Sequence, residues 1–252
     1  MHIDFLTIFP DLIREAASYG ITGRAIRSGL VDVIAHDLRD FTDDVHRTVD
    51  DTPYGGGAGM VFKPEPVARV LAAIQDAGRS LDHVIFLTPD GKRLDQRTVN
   101  RLSIAPGLVL LCGRYRGIDE RIRELYVTEE ISVGDYVLSG GELPALVLMD
   151  AVVRLIPGAM GDAESALEDS FQNGLLDCPW YTRPREFEGM RVPDVLLSGD
   201  HQRIAGWRRD AAVQRTRKRR PDLYERIEAG DKAGSENEDV GGHVELSPPF
   251  EG

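Results

Sequence analysis

The chain has 252 residues, enough for one large domain or two smaller ones, and its two cysteines give neither a disulfide framework nor a zinc-binding spacing. Its formal net charge of -12 argues against a nucleic-acid partner on bulk charge alone. No apolar run is long enough to cross a membrane, and the first ten residues lack the basic start of a signal peptide. We therefore expect a soluble cytoplasmic protein that does not contact membranes.

Strand-like and helix-like segments alternate through the first 158 residues. Short apolar runs predict strands at 3–8, 30–38, 83–88, 108–112 and 129–133. Helical spacing or helix-favouring composition predicts helices within 11–29, from Pro66, within 93–103 and from Pro144. Strands that alternate with helices predict an α/β fold with a largely parallel sheet. Cys112 ends the apolar run "LVLLC" and is expected to be a buried small hydrophobe.

The character of the sequence changes after Pro157. A small, polar and weakly patterned segment reads as a linker, and from about Asp200 the chain is helical and basic. Eight bases and one acid lie between His201 and Arg220, so a locally basic face is expected on an acidic protein. Residues 229–252 hold six acids and one base, and this composition predicts a disordered tail.

Three glycine-bearing loops follow apolar strands: "TPDG" (88–91), "CGRYRG" (112–117) and "VGDYVLSGGE" (133–142). The carboxyl ends of parallel strands form the ligand crevice of an open α/β sheet, although each loop alone could be a tight turn. No loop has the Walker pattern or a GxGxxG that opens a helix. A ligand read by backbone amides, such as an adenine ring with a small charged tail, is favoured over a phosphate group.

An ordered set of motifs over about residues 1–225 closely resembles the bacterial tRNA (guanine-N1)-methyltransferase family, TrmD, of the SPOUT class. The matching stretches include "TIFP", "VDDTPYGGGAGMVFKPEP", "LTPDG", "CGRYRGIDERI", "EISVGDYVLSGGELPALVLMDAVVRLIPG", "EDSFQNGLLDCPWYTRP" and "VPDVLLSGDHQRIAGWRRDAAVQRTRKRRPDL". The resemblance implies a SPOUT-type parallel sheet with a deep trefoil knot, which is a rare topology, plus a small helical C-terminal domain. It gives a knotted domain at 1–158, a linker at 159–172, a helical tRNA-binding domain at 173–228 and the acidic tail at 229–252.

The same resemblance implies that the three loops hold S-adenosylmethionine in a bent conformation. Carried over by motif, the cofactor-binding residues are Pro89, Gly91, Gly113, Ile131, Gly134, Tyr136, Leu138, Gly140, Gly141 and Pro144.

The implied reaction is methylation of N1 of guanosine 37 in tRNA. N1 carries a proton, so the reaction needs a general base, and charge then builds on O6, which needs a cation. By resemblance, Asp169 is the base and Arg154 faces O6. From the residues alone, Arg154 could instead be a favoured helix C-terminal cation, and Asp169 a helix cap or linker acid.

The family resemblance also implies a homodimer whose active site joins the knot of one chain to the linker and C-terminal domain of the other. Asp50, Gly59, Ser165 and Asp177 are the residues carried over for gripping the target base, which must leave its stack. The basic face marked by Arg208, Arg215 and Arg219 is expected to contact the tRNA backbone. Trp207 shares a stripe with Ile204 and Ala211 and is expected to pack its helix down.

One residue departs from the family pattern. Arg116 stands where the family typically has glutamate, in "CGRYEG", and that acid is linked to a magnesium dependence. Arg116 could point outward, pair with Asp119 or Glu120, or weaken activity, so no metal ligands are assigned and a magnesium requirement is open. Two other functions stay open at this point: a knotted RNA-binding protein without catalysis, and an unrelated nucleotide-binding enzyme.

Overall fold

A computed structural model describes residues 1–160 and 169–238 of the chain, with side chains described up to 229. The chain divides into two compact units, Met1–Ala166 and Leu167–Gly252. The division lies within the predicted linker, 159–172, of which residues 161–168 are outside the described residues. The domain boundaries given above stay predictions. Within the described part of the chain, no helix combines the length and the apolar character that a membrane span requires.

The first unit is built on a five-stranded sheet. Its strands are β1 (His2–Thr7), β2 (Asp32–Asp37), β5 (Val84–Arg93), β6 (Gly107–Leu111) and β7 (Glu129–Ser132), in the order β2-β1-β6-β5-β7 with every pair parallel. A separate antiparallel pair joins β3 (Asp50–Asp51) to β4 (Val61–Phe62). The helices are α1 (Pro10–Ala17), α2 (Gly20–Arg27), α3 (Pro64–Asp76), α4 (Gln96–Ser103), α5 (Glu120–Tyr126) and α6 (Glu142–Val153). The predicted α/β fold with a parallel sheet is confirmed.

Both faces of this sheet are covered, which explains why its central strands are continuous apolar runs. Side chains alternate across β6, so that Leu108 and Leu110 pack on one face with α1, α2, α4 and α6. Val109 and Leu111 pack on the other face with α3 and α5. Cys112 follows β6 and is fully buried, as predicted.

The structure differs from the predicted elements at several places in this unit, among them the start of α3, which lies at Pro64 rather than Pro66. β5 continues through the predicted "TPDG" loop, and Leu87 and Lys92 both pair with Ile131, so the residues between them bulge out of the strand. α6 begins at Glu142 rather than Pro144, since an acid in the first turn suits the helix dipole. The short α5 was not predicted, because its seven residues are too few to show a helical period.

The second unit contains a small hairpin and two helices. The hairpin pairs β8 (Glu186–Phe187) with β9 (Met190–Arg191). The helix α7 (His201–Arg219) begins after Asp200, whose carboxylate accepts hydrogen bonds from the backbone N–H groups of Gln202 and Arg203. The helix α8 (Pro221–Glu238) continues past the expected boundary at 228. Residues 239–252 of the predicted tail are outside the described residues.

A buried ion cluster fixes the edge of the sheet at β1 and β2. The Asp4 carboxylate is fully buried and lies 2.8 Å from His36 Nε2, 3.0 Å from His2 Nδ1 and 2.8 Å from Arg79 Nε. Burial alone would raise the pKa of Asp4, but the hydrogen bond to His36 and the charge of Arg79 outweigh it and lower the pKa. The cluster therefore favours the charged carboxylate in the folded state.

We expect Asp4→Ala to lower the free energy of unfolding by about 3–5 kcal/mol, because the partly buried nitrogens of His2, His36 and Arg79 lose their shared hydrogen-bond partner. Since the pKa of Asp4 is lowered on folding, this contribution is complete above about pH 4 and is lost as pH falls through the lowered folded-state pKa. Urea denaturation at pH 7 measures the loss. Asp11→Ala is the control, because Asp11 and its partner Arg14 form an exposed ion pair that contributes little to stability. Equal stability of the two variants would contradict the assignment.

Candidate functional site

Three segments meet at one edge of the sheet in the first unit: the bulge within β5 and the loops that follow β6 and β7. These three strands are neighbours in the sheet, so their carboxyl ends lie side by side. The loops enclose a cavity of about 300 Å³, lined by residues within 86–90, 113–117 and 131–144. This volume is at the lower end of the range of small-molecule sites, about 300–1,000 Å³.

The structure brings the predicted cofactor-binding residues together. All of them except Gly91 line this cavity. A Cβ atom at Gly91 would lie 2.5 Å from the backbone nitrogen of Ile131. Gly91 therefore allows the bulge of β5 to approach β7, and it contributes to the shape of the site rather than to its lining.

Glycines let the backbones of the loops approach one another around the cavity. The Gly141 N–H donates to the Gly113 carbonyl at 2.9 Å, and a Cβ at Gly141 would lie 2.7 Å from Cys112 Cα. A Cβ at Gly113 would lie 2.7 Å from the Phe86 ring. Neither position has room for a side chain, so the wall of the cavity is backbone with its polar groups close to any ligand. Exposed Tyr136 and partly exposed Leu138 supply ring and apolar surface at the same cavity.

A buried acid lies directly behind the cavity. Glu142 is 1% exposed, accepts a hydrogen bond from the Thr7 hydroxyl at 2.9 Å and lies 3.4 Å from Arg114 Nε. The Arg114 guanidinium also lies over the Phe9 ring, 4.3 Å from its centroid. Burial, and then the Glu142 charge, raise the pKa of Cys112 well above its usual range, so this thiol stays neutral. The sequence analysis missed this cluster, because an acid in a first helical turn is ordinarily exposed.

Arg116 fixes the glycine-rich loop between β3 and β4. Its Nε donates to the Ala58 carbonyl at 2.7 Å, and its backbone N–H donates to the Met60 carbonyl at 2.9 Å. The sequence suggested Asp119 or Glu120 as a partner of Arg116. Among the described ion pairs, Asp119 instead binds Arg121, and Glu120 binds Arg123. The arginine therefore connects this cavity, which it lines, to the loop that holds Gly59. In the part of the chain that the structure describes, no three His, Cys, Asp or Glu side chains cluster to hold a metal ion.

We expect Arg116→Ala to increase amide exchange about tenfold in residues 55–60, because a hydrogen bond from a charged group to Ala58 is lost. Hydrogen exchange with mass spectrometry measures this change. Arg121→Ala is the matched control, because Arg121 pairs with Asp119 and not with the glycine-rich loop. Unchanged exchange in the Arg116 variant would remove the residue from this role.

The predicted catalytic cation lies elsewhere in the first unit. Arg154 ends α6 and lines a second cavity, of about 510 Å³, together with Leu143, Val147 and Asp150. Leu143 and Val147 are each about half exposed, so apolar surface of α6 faces water beside Arg154. The position at the helix end also suits the alternative role of a cation at the negative end of the dipole.

The predicted base belongs to the second unit. Asp169 lines a cavity of about 270 Å³ there, together with Asp177, Trp180 and Arg208. The Asp177 carboxylate accepts hydrogen bonds from the Cys178 N–H at 2.6 Å and from Trp180 Nε1 at 2.5 Å.

The remaining predicted tRNA-binding residues are spread over both units. Asp50 begins β3, and Gly59 has a φ of +96° in the loop before β4. On α7, Arg208 and Arg215 are partly buried, whereas Arg219 is exposed. Ser165 is outside the described residues.

Comparison with known proteins identifies the relatives of this chain. Residues 1–226 match the family model described as "tRNA (Guanine-1)-methyltransferase TrmD". A protein of Chlorobaculum tepidum named "tRNA (guanine-N(1)-)-methyltransferase" is 56% identical over 88% of this chain and 96% of its own length. A protein with the same name in Chromobacterium violaceum is 56% identical over 89% of this chain and 90% of its own length. A third, in Dictyoglomus turgidum, is 51% identical over 90% of this chain and 91% of its own length.

Proposed function

The chain belongs to the tRNA (guanine-1)-methyltransferase family, and we propose from this that it methylates N1 of guanosine 37 in tRNA with S-adenosylmethionine as the methyl donor. The observation that carries the proposal is the cavity formed by the bulge of β5 and the loops after β6 and β7. Its backbone polar groups, together with the side chains of Tyr136 and Leu138, suit an adenine ring with a small charged tail.

The residues around the cavity fit the proposed donor. Gly113 and Gly141 leave no room for side chains and bring peptide groups to its surface, while Tyr136 and Leu138 offer ring and apolar surface. S-adenosylmethionine, when bound, supplies an electrophilic methyl group. The loops of this chain would bind and orient it. In support of that role, nine of the predicted cofactor-binding residues line the same cavity: Pro89, Gly113, Ile131, Gly134, Tyr136, Leu138, Gly140, Gly141 and Pro144.

We propose that the same loops form the trefoil knot of the SPOUT class. In support, the chain leaves β7 at one edge of the sheet and then returns to the loop after β6, where Gly140 pairs with Arg114 and Gly141 binds Gly113. With this fold we propose the domain boundaries given by the sequence: 1–158, a linker at 159–172, a tRNA-binding domain at 173–228 and a tail at 229–252.

In the proposed reaction, the Asp169 carboxylate accepts the proton of guanine N1 as the nitrogen bonds the methyl carbon. An ordinary aspartate, with a pKa of about 3.9, is too weak a base for this unless the charge on O6 is stabilised at the same time. The Arg154 guanidinium supplies that stabilisation through a charge-assisted hydrogen bond. The bond between the sulfonium sulfur and the methyl group would break as the new bond forms, and Asp169 would hold the proton.

We further propose that the protein acts as a homodimer in which each active site takes Arg154 and the cofactor cavity from one chain and Asp169 from its partner. The half-exposed apolar side chains of Leu143 and Val147, next to Arg154, support an interface at this face of α6. The cytoplasmic location predicted from the sequence remains a prediction.

The tRNA would be bound by residues of both units. We propose that Asp50, Gly59, Ser165 and Asp177 grip the displaced guanine, and that Arg208, Arg215 and Arg219 contact the backbone. The position of these arginines on α7, within a strongly basic helix, supports the backbone role.

Product analysis tests the proposal against its competitors. After incubation with methyl-labelled S-adenosylmethionine and unmodified tRNA, digestion to nucleosides should place the label in 1-methylguanosine. Label in another nucleoside would contradict the proposed target atom. S-adenosylmethionine binding without transfer would indicate an RNA-binding protein that lacks catalysis, and a preference for ATP in calorimetry would indicate the nucleotide-binding alternative.

A further inference from the structure

The second unit carries a groove that combines aromatic rings with arginines. It has a volume of about 490 Å³ and is lined by Trp180, Tyr181, Trp207, Arg183, Arg185 and Arg208, with apolar side chains between them. Trp180 is 58% exposed and Tyr181 is 49% exposed. Both rings therefore present apolar surface to water beside the arginines of the groove.

The Trp180 ring is held in place by two contacts. Its Nε1 donates to the Asp177 carboxylate at 2.5 Å, and the Arg208 guanidinium lies over the ring, 4.5 Å from its centroid. The Tyr181 ring in turn leans on Trp207, with centroids 6.3 Å apart. A ring that is fixed on one side and open to water on the other loses little conformational entropy when a flat ligand stacks on it.

The charge of the groove indicates the kind of ligand. Arg183, Arg185 and Arg208 line it, and its described lining includes no Asp or Glu. Aromatic rings that stack on bases, together with cations that meet phosphates, are the usual means of binding an unpaired nucleotide. An acidic peptide would use the arginines but would leave the exposed face of Trp180 without a matching partner.

The groove also adjoins the cavity of the proposed catalytic base. Trp180 and Arg208 line both the groove and the cavity that contains Asp169. A nucleotide in the groove would therefore lie next to the space assigned to the target guanosine.

We propose that this groove binds a second, unpaired nucleotide of the RNA substrate, with its base stacked on Trp180 and its phosphate held by the arginines. The proposal rests on the proposed function for the identity of the RNA. Trp180 lies outside α7, so this site is separate from the backbone contacts proposed for the basic face of that helix.

Binding to short single-stranded RNA tests the stacking directly. Addition of an unstructured oligonucleotide should quench the fluorescence of the wild-type protein, and Trp180→Phe should remove most of that quenching, although Trp207 remains. An abasic oligonucleotide with the same number of phosphates should bind more weakly and quench little. Equal quenching by both oligonucleotides, or full quenching of the Trp180→Phe protein, would overturn the proposal. This readout does not depend on methyl transfer, so it separates failure of the groove from failure of the proposed activity.

Kinetics then separates binding from structure. Trp180→Ala should raise the KM for tRNA about 5- to 150-fold, the range that corresponds to the loss of one base stack, with S-adenosylmethionine affinity unchanged. Trp180→Phe should recover much of the affinity. Phe187→Ala is the control, because Phe187 is 61% exposed in the same unit and does not line the groove. A KM unchanged in Trp180→Ala, or raised equally in Phe187→Ala, would contradict a nucleotide site at Trp180.

Discussion

Asp169→Asn should lower the rate of methyl transfer by about 100- to 10,000-fold, the usual contribution of a general base, while S-adenosylmethionine affinity stays unchanged. Asparagine keeps the shape of the side chain but cannot take the proton of guanine N1. Asp169 is not among the residues that line the cavity proposed for the methyl donor, so the substitution leaves that lining unchanged. Single-turnover transfer and calorimetry with the methyl donor measure the two effects separately.

Asp194→Asn is the matched control for this variant. Asp194 is an exposed acid in the same unit, and it begins the short 3-10 helix before α7. Its loss should leave the transfer rate near that of the wild type. Near-normal transfer by Asp169→Asn would remove Asp169 from the mechanism, and a loss of donor binding would show that the substitution disturbs more than proton transfer.

Arg154→Ala should lower kcat by about 100- to 1,000-fold, the range seen when one donor to a developing oxyanion is removed. Arg154→Lys should have an intermediate rate, because lysine keeps the positive charge but loses the planar, forked donor. Arg14→Ala is the control, since Arg14 is an exposed helical arginine that pairs with Asp11. If Arg154→Ala has the kcat of the wild type, Arg154 has no catalytic role and acts only as a cation at the C-terminal end of α6.

A mixture of the two inactive variants tests the composite active site. When Asp169→Asn and Arg154→Ala chains form mixed dimers, one of the two sites receives an intact Arg154 from one chain and an intact Asp169 from the other. We expect activity to return on mixing. Mixed dimers that form, as judged by native mass spectrometry, but stay inactive would contradict an active site shared between chains.

The sheet could be predicted because its strands are buried on both faces. The apolar runs at 83–88 and 108–112 correspond to the start of β5 and to β6, and only the two packed layers explain their lack of alternation. The continuation of β5 through Pro89 could not be predicted in this way. Proline and glycine ordinarily mark a turn, and the bulge that accommodates them depends on pairing with β7, which is a long-range contact.

Much of the site was accessible only through the family resemblance. The hydrophobic pattern placed three glycine-bearing loops at one sheet edge, but it gave no role to Asp169 or Arg154. Two features escaped both approaches. The buried Glu142 depends on Thr7 and Arg114 from distant parts of the chain, and the contact of Arg116 with Ala58 depends on a loop far from it in sequence. The hairpin of β8 and β9 was also missed, because two-residue strands have too few residues to show alternation.

The most direct test of the account is methyl transfer from labelled S-adenosylmethionine to tRNA transcripts that differ only at position 37. Each transcript is assayed with magnesium and with a chelator, because the family resemblance leaves a magnesium requirement open at Arg116. The account predicts transfer to the guanosine transcript and none to the adenosine transcript, and the chelator assay shows whether this protein needs the metal. Equal transfer to both transcripts, or no transfer to either while the donor is bound, would contradict it.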